Sequence, residues 1–487
     1  MSSLHPMSDA PTDARTVLRS AMSLTGLRLA PGHGVPDQRH LGLLAETEMS
    51  DPPRFWTDES AHALAALFAA RARRDNLRGG SALVSRYFDD TRLTRPSALS
   101  MGARALLLAS VGEYYGMVGR PQLAARFGHE AQVFADTDAL RYYALAVSTF
   151  GFAVNGEYDS AIATMTEANE ILGRNGWPVE ESSHLVALAD ALVSAARLDD
   201  RRLASVSARL WELSPDDPYV EYSARTVDVS RQLFLGDYTA GLASSWQLLH
   251  GSQRRTSQRI VRGFVQCFRS ELLVAQGNHA EGLASLNGGV NVEGHDICFS
   301  KQRAACLLSL GREQELLVET EPCVAADTDH CLRTLTPLLV QRAIAFRRVG
   351  SERRALESME SALLLISRTG SSMAPFIMLP RQECAELIDA AAADRPELAD
   401  IAATVRAALL RLTVAIEGER STTPITAFTP TELALARILL TPMNLADIAR
   451  QRNVSLNTIK SQVRSIYVKL GVRGRKDAEE ALRRVLG

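Results

Sequence analysis

Near the C-terminus, Asn457, Lys460, Ser461 and Arg464 stand at i, i+3, i+4 and i+7. On a helix that spacing gathers them on one face. Their chemistry is that of nucleic-acid readout. A guanidinium or ammonium group matches a guanine edge or a phosphate, and a carboxamide matches an adenine edge or a phosphate. Ile459, Val463, Ile466 and Leu470 recur at i, i+4, i+7 and i+11 on another side, as a stripe facing a core does. A charged face alone would also suit a solvated helix in an ordinary bundle, so the elements around it decide.

Those elements are short and sharply bounded. Thr429-Pro430-Thr431-Glu432 reads as a capping box with proline at the first helical position. Leu433, Ala436, Ile438 and Leu439/Leu440 follow at mostly helical spacing. Asn444 is the N-cap of a second helix, Leu445 to Arg452, and Asn453 with Val454 makes a tight turn. Ser455 caps a third helix, Leu456 to Leu470, which Gly471 ends. A short helix, a tight turn and a helix with a cationic outer face form the helix-turn-helix layout, whose second helix enters the major groove.

Through Leu433, Ile448-Ala449, Val454-Ser455, Asn457-Thr458-Ile459-Lys460, Val463, Ile466-Tyr467, Lys469-Leu470-Gly471-Val472 and Arg475, the segment resembles the LuxR-type helix-turn-helix regulators of bacteria. The match covers about an eighth of the chain. The resemblance implies a four-helix DNA-binding domain on double-stranded DNA. Lys460, Ser461 and Arg464 would face base edges, with Asn457, Thr458, Gln462 and Lys469 nearer the backbone and Ser455 in the same contact set. It also implies a homodimer on DNA, with Arg475 to Leu486 as a contact helix, and RNA polymerase as a further partner. Two departures stand out. Thr441-Pro442-Met443 replaces a glycine-containing turn, and Gln462 stands where many members have histidine.

The charge distribution agrees. From Ile425 onward there are eleven Lys/Arg against five Asp/Glu, whereas the rest of the chain carries 43 against 51. A basic module on an acidic body fits a DNA reader attached to something that is not one. At 487 residues, with 46% apolar and 23% charged residues, the composition is that of a globular protein of several domains. No eighteen-residue apolar run and no signal-like start is present, so a cytoplasmic, nucleoid-associated protein without membrane contact is expected. Cys267, Cys298, Cys306, Cys323, Cys331 and Cys384 form no C-x-x-C pair and read as reduced, packed thiols.

The body reads as all-α. Six places carry a similar turn followed by a helix start, namely Gly119-Arg120-Pro121, Gly156-Glu157-Tyr158, Gly236-Asp237-Tyr238, Gly277-Asn278-His279, Gly311-Arg312-Glu313 and Gly350-Ser351-Glu352. Asp199-Asp200-Arg201 is a degenerate seventh, and Gly79 is a candidate eighth. From Gly119 to Gly350 the intervals run from 34 to 43 residues, the mark of a helical-hairpin solenoid. Five residues after the turn there is usually a small residue, as at Ala124, Ala161, Ala204, Gly241, Gly282 and Ala355; Leu316 is the exception. Gly156-x-Tyr158-x-x-Ala161-Ile162 and Gly350-x-x-x-x-Ala355-Leu356 resemble tetratricopeptide repeats. Ile377 to Ala392 and Pro396 to Ile416 read as capping helices, and Gly418 to Pro424 as a polar linker.

The expected organisation is an N-terminal arm at 1–53, partly disordered and with a helical pattern from Ala14 to Leu29. A tetratricopeptide-like solenoid at 54–416, a linker at 417–427 and the helix-turn-helix domain at 428–487 follow. The solenoid with helix-turn-helix also resembles the C-terminal half of large regulators of the maltose-activator kind. Their phosphate loop is absent: no Gly-Lys dipeptide exists, and outside the DNA module the only lysine is Lys301. No catalytic constellation stands out, and no cofactor is expected. His295-Asp296-x-Cys298 and His330-Cys331 match no standard zinc spacing, so no metal site is expected either. Tyr114-Tyr115, Tyr142-Tyr143, Tyr158, Tyr219, Tyr222 and Tyr238, with Trp177, Trp211 and Trp246, suit either inter-helix packing or the lining of a concave ligand site. The expected function is a sequence-specific transcription regulator whose solenoid senses a small molecule or a protein. The alternative is a solenoid adaptor that uses DNA only for localisation.

Overall fold

The computed structural model describes residues 38–47, 55–89, 91–94, 99–213, 217–291, 294–326, 330–370, 373–417, 430–441, 443–452, 454–470, 474–475, 478–479 and 482. The helical pattern from Ala14 to Leu29, residues 418–427 of the linker expected at 417–427 and Thr429 of the capping box lie outside these residues, while Glu417 ends a helix. Helices α1 (Gln38–Glu46), α2 (Asp58–Arg73) and α3 (Leu77–Tyr87) come first. A two-stranded antiparallel ribbon follows, β1 (Phe88–Asp89) and β2 (Arg92–Leu93), pairing Phe88 with Leu93. Within the 1–53 stretch, α1 seats on α2 and buries Leu41, Leu44 and Ala45. The Arg71 guanidinium holds the end of α1 by donating to the Thr47 carbonyl at 2.7 Å.

Hairpins then follow in sequence. They are α4 (Met101–Val118) with α5 (Pro121–Phe134), α6 (Asp138–Asn155) with α7 (Tyr158–Arg174), and α8 (His184–Arg197) with α9 (Asp200–Leu213). Next come α10 (Pro218–Phe234) with α11 (Tyr238–His250), and α12 (Arg259–Ala275) with α13 (His279–Ala284). The last are α14 (Phe299–Ser309) with α15 (Glu313–Ala325), and α16 (Leu332–Arg348) with α17 (Glu352–Thr369). The two helices of each hairpin touch, and most hairpins also touch the next. Among the described residues the body is therefore a helical-hairpin solenoid, all-α apart from the ribbon.

Every one of these hairpins turns at a predicted position. Gly119, Gly156, Gly236, Gly277, Gly311 and Gly350 have φ between 68° and 96°, a left-handed region open to glycine at no steric cost. In the degenerate copy Leu198 takes that conformation, at φ 56°. The small residue after the turn lets the helices close. At Gly241 an added Cβ would stand 2.7 Å from Leu272, while Ala124, Ala161 and Ala355 are fully buried. Ala204, in the degenerate copy, is only half-buried. Gly79 is not a turn: it lies inside α3. The chain turns earlier, at Asp75 with φ 59°, and the Asn76 side chain caps α3 by accepting from the Gly79 amide at 3.0 Å.

Capping helices α18 (Arg381–Asp394) and α19 (Ala399–Glu417) follow. Both start later than their apolar patterns suggested. Pro380 is the extended N-cap of α18, and Pro396–Leu398 forms a separate 3-10 turn. The array also curls onto itself. Arg262 pairs with Asp75 at 2.8 Å, Arg333 Nε donates to the Val154 carbonyl at 3.0 Å, and the Met373 amide donates to the Ala196 carbonyl at 3.0 Å. Later hairpins thus contact earlier ones directly. The tyrosines pack accordingly: Tyr114, Tyr115, Tyr142, Tyr143, Tyr158 and Tyr222 are buried between helices.

One buried charge network ties α2, α4 and α6 together. Glu113 is fully buried and accepts from Arg73 Nε at 2.7 Å, Arg73 Nη2 at 3.1 Å and the Tyr143 hydroxyl at 2.5 Å. Burial alone would raise the Glu113 carboxyl, but the Arg73 charge and its hydrogen bonds outweigh that and hold it below the usual carboxylate range. Beside this network, desolvation pushes the half-buried His184 imidazole down to about 4.

Candidate nucleic-acid interface

The C-terminal module contains α20 (Pro430–Leu439), α21 (Leu445–Gln451) and α22 (Leu456–Leu470). It has its own core of Leu435, Ala436, Leu439, Ile448, Ala449, Ile459, Val463, Ile466 and Leu482. Leu435 carries the contribution of α20, a residue the apolar spacing did not single out; the Leu433 side chain lies outside the described residues. The caps form as predicted. The Asp447 amide donates to Asn444 Oδ1 at 2.9 Å, and the Thr458 amide donates to Ser455 Oγ at 3.0 Å. Glu432, largely buried, accepts from the Ser465 hydroxyl at 2.7 Å and so ties α20 to α22.

Arg475 has a specific task inside the module. Its guanidinium donates to the carbonyls of Met443 at 2.5 Å and Thr441 at 2.6 Å, and it pairs with Glu479 at 2.9 Å. It thereby satisfies carbonyls at the α20–α21 turn, where Thr441-Pro442-Met443 departs from the glycine-containing pattern. Ala478 and Leu482 are buried, with Leu482 in the module's own core, so these two side chains are not free to form a dimer contact. Most of the remainder of the 475–486 segment lies outside the described residues.

With Ile459, Val463 and Ile466 turned inward, the opposite side of α22 faces solvent. Asn457, Thr458, Lys460, Ser461 and Arg464 are exposed, and Gln462 is half-buried. The Lys469 side chain lies outside the described residues. Ser455 is exposed, but its hydroxyl caps the helix and lies 2.7 Å from Thr458 Oγ1, so those two groups are oriented by each other. Among the described residues, Lys460 and Arg464 have no ion-pair partner. Val454 and Leu456 remain exposed at the start of α22, where apolar groups can meet a thymine methyl.

The solenoid holds two further features. A cavity of about 130 Å³ lies on the inner side, lined in part by Phe264, Phe268, Glu271, Cys298, Lys301 and Arg333. Glu271 accepts there from Lys301 Nζ at 3.1 Å and Gln302 Nε2 at 2.9 Å. Next to it, His295, Cys298, Cys323 and His330 bring one ligand atom each to within 4.8 Å of one another. Sequence spacing pairs His330 with Cys331 and leaves Cys323 among the packed thiols. The structure separates the first pair, because the Cys331 thiol faces the Val154 carbonyl at 3.0 Å. A hydrogen bond from the Cys298 thiol outweighs the opposing effect of burial and draws the Cys323 thiol well below its ordinary range.

No helix among the described residues is long and apolar enough to cross a membrane. No family model matches the sequence, and no curated protein matches it. Among solved structures, the crystal structure of the APC/C hetero-tetramer Cut9-Hcn1 is similar to this chain at 11% identity and a TM-score of 0.36, over 97% of this chain and 87% of that one. The solenoid itself rests on the helix pairing and turn geometry of this chain.

Proposed function

We propose that the protein is a sequence-specific, DNA-binding transcription regulator of the LuxR type, with the C-terminal module as DNA reader and the solenoid as sensor. The observation that carries this reading is the outer face of α22, where Asn457, Lys460, Ser461 and Arg464 are exposed on a helix fixed by caps and a core. A rigid helix with an outward polar face, preceded by a short helix and a tight turn, suits insertion into the major groove. Lys460 and Arg464 have the donors for guanine edges, Ser461 serves either base type, and Asn457 suits a phosphate or an adenine. Thr458, Gln462, Ser455 and Lys469 complete the set as backbone contacts.

The inner cavity supports a small effector better than a peptide, since about 130 Å³ holds only a small molecule or a few waters. A ligand there would act by favouring one arrangement of the curled hairpins. Homodimerisation on two half-sites and contact with RNA polymerase belong to the same proposal.

The test is selection of sequences from random DNA by the intact chain, followed by titration on matched and scrambled duplexes. The proposal expects a clear preference for the matched duplex. Sequence-blind binding with steep salt dependence would instead favour the solenoid adaptor. Trp246, exposed on α11, is the observation that favours that second reading, because exposed aromatics recur at protein interfaces.

A further inference from the structure

Four ligand-type side chains meet where the α14–α15 hairpin joins the next one. His295 and Cys298 precede α14, Cys323 lies near the end of α15, and His330 stands just before α16. We propose that His295, Cys298, Cys323 and His330 bind one Zn2+ ion in a closed tetrahedral site that staples these hairpins together.

The distances fit such an ion. Two thiolates at ~2.3 Å from Zn2+ at the tetrahedral angle stand about 3.8 Å apart, and a thiolate and an imidazole nitrogen about 3.6 Å apart. Here the Cys298 and Cys323 sulfurs are 3.7 Å apart, and Cys323 Sγ is 3.7 Å from His295 Nδ1. The two imidazole ring centres are 4.3 Å apart, so both rings belong to the same cluster. Two sulfurs at 3.7 Å are too far apart for a disulfide, whose bond is ~2.0 Å.

The hydrogen bonding around the cluster points the same way. His330 is fully buried, and its Nδ1 lies 3.0 Å from the Cys331 carbonyl, which can only accept. The proton therefore sits on Nδ1, and Nε2 carries a lone pair. That Nε2 is buried with no hydrogen-bond partner. A buried unsatisfied acceptor is costly, and a metal ion removes that cost. The carbonyl behind the ring is the usual orienting partner of a metal-bound histidine. Cys298 Sγ accepts from the Lys301 amide at 3.3 Å, as a thiolate ligand at a helix start does. His295 sits at φ 51°, in the left-handed region that histidine tolerates, and the Thr334 hydroxyl donates to its carbonyl at 2.7 Å, which fixes the backbone that presents the ring.

The ligand set selects the ion and its role. Two thiolates and two imidazoles suit Zn2+ rather than Mg2+ or Ca2+. Four protein ligands leave no open position, which marks a structural site, not a catalytic one. On binding, the thiols release their protons to solvent and no redox partner is needed. Cys298 and Thr334 also line the inner cavity, so the ion would fix one of its walls.

The experiment uses the intact chain, purified reduced and without added chelator. Elemental analysis should find zinc at a single ion per chain. Replacement by Co2+ should give the intense ligand-field bands of a tetrahedral ion and a thiolate charge-transfer band. Cys323→Ser and His330→Gln should weaken or abolish those bands, whereas Cys331→Ser should leave them intact. Chelation should lower the Tm of the body. If Cys323→Ser fails to fold, the wild-type Co2+ spectrum still decides. A folded, reduced chain that yields only the weak spectrum of octahedral Co2+ overturns the proposal. So does a Cys298–Cys323 disulfide in protein prepared anaerobically.

Discussion

Cations in the body and cations on the outer face of α22 are used in opposite ways. In the body, Arg73 meets Glu113, Arg202 meets Asp190, Arg262 meets Asp75, and Arg348 meets both Glu313 and Glu383. On α22, Lys460 and Arg464 face solvent without an ion-pair partner among the described residues. Cations already matched within the chain hold the fold together, and cations left outward are open to an anion from elsewhere. The contrast follows composition, since the body is net acidic and the module net basic.

The sharpest way to break the body side of this contrast is Glu113→Ala. It would leave the buried Arg73 charge unmatched, and removing one partner of a buried pair costs about 3–5 kcal/mol. Thermal or urea unfolding of the body should show that loss, while melting of the isolated 425–487 fragment cannot. A smaller effect comes from pH. The His184 imidazole is pushed down to about 4, so its neutral form stabilises the fold. That contribution is complete above the unfolded-chain value of ~6.5 and is lost as pH falls from there towards about 4. Because His184 is only half-buried, solvent screening discounts the linkage, and we expect a loss of roughly 1–2 kcal/mol across that window, seen as a falling Tm and reduced in His184→Asn. Glu113, held low, adds its own loss further into acid, below the unfolded-chain value of ~4.3. The smallest effect belongs to the module. Asn444→Ala removes the cap of α21 and should cost about 1 kcal/mol of module stability, with the body transition unmoved.

Local features of this chain were legible in its sequence. The glycine turns from Gly119 to Gly350, the caps Asn444 and Ser455, and the bounds of α22 all depend on residues a few positions apart. Gly79 misled because an asparagine cap can end a turn as well as glycine can, and Asn76 does so here. Features that depend on how hairpins stack were not legible. Asp75 meets Arg262, and Cys331 meets Val154, across long separations that no period encodes. Cys323 joined the His295 cluster for the same reason: its place is set by α15 packing beside the start of α14, not by any spacing. The buried Glu113 was hidden in α4, a helix buried along most of its length, where one charge does not disturb the pattern.

The proposed DNA reading would depend above all on the outer face of α22. The direct test is to titrate the intact chain and its Arg464→Ala variant on a selected duplex and on a scrambled one, at one fixed salt concentration. We expect the variant to lose about 1–3 kcal/mol on the selected duplex and to relax discrimination at one base position. On scrambled DNA the two proteins should differ far less. Equal affinity of the wild-type chain for both duplexes would contradict sequence-specific reading, as would an unchanged profile in the variant.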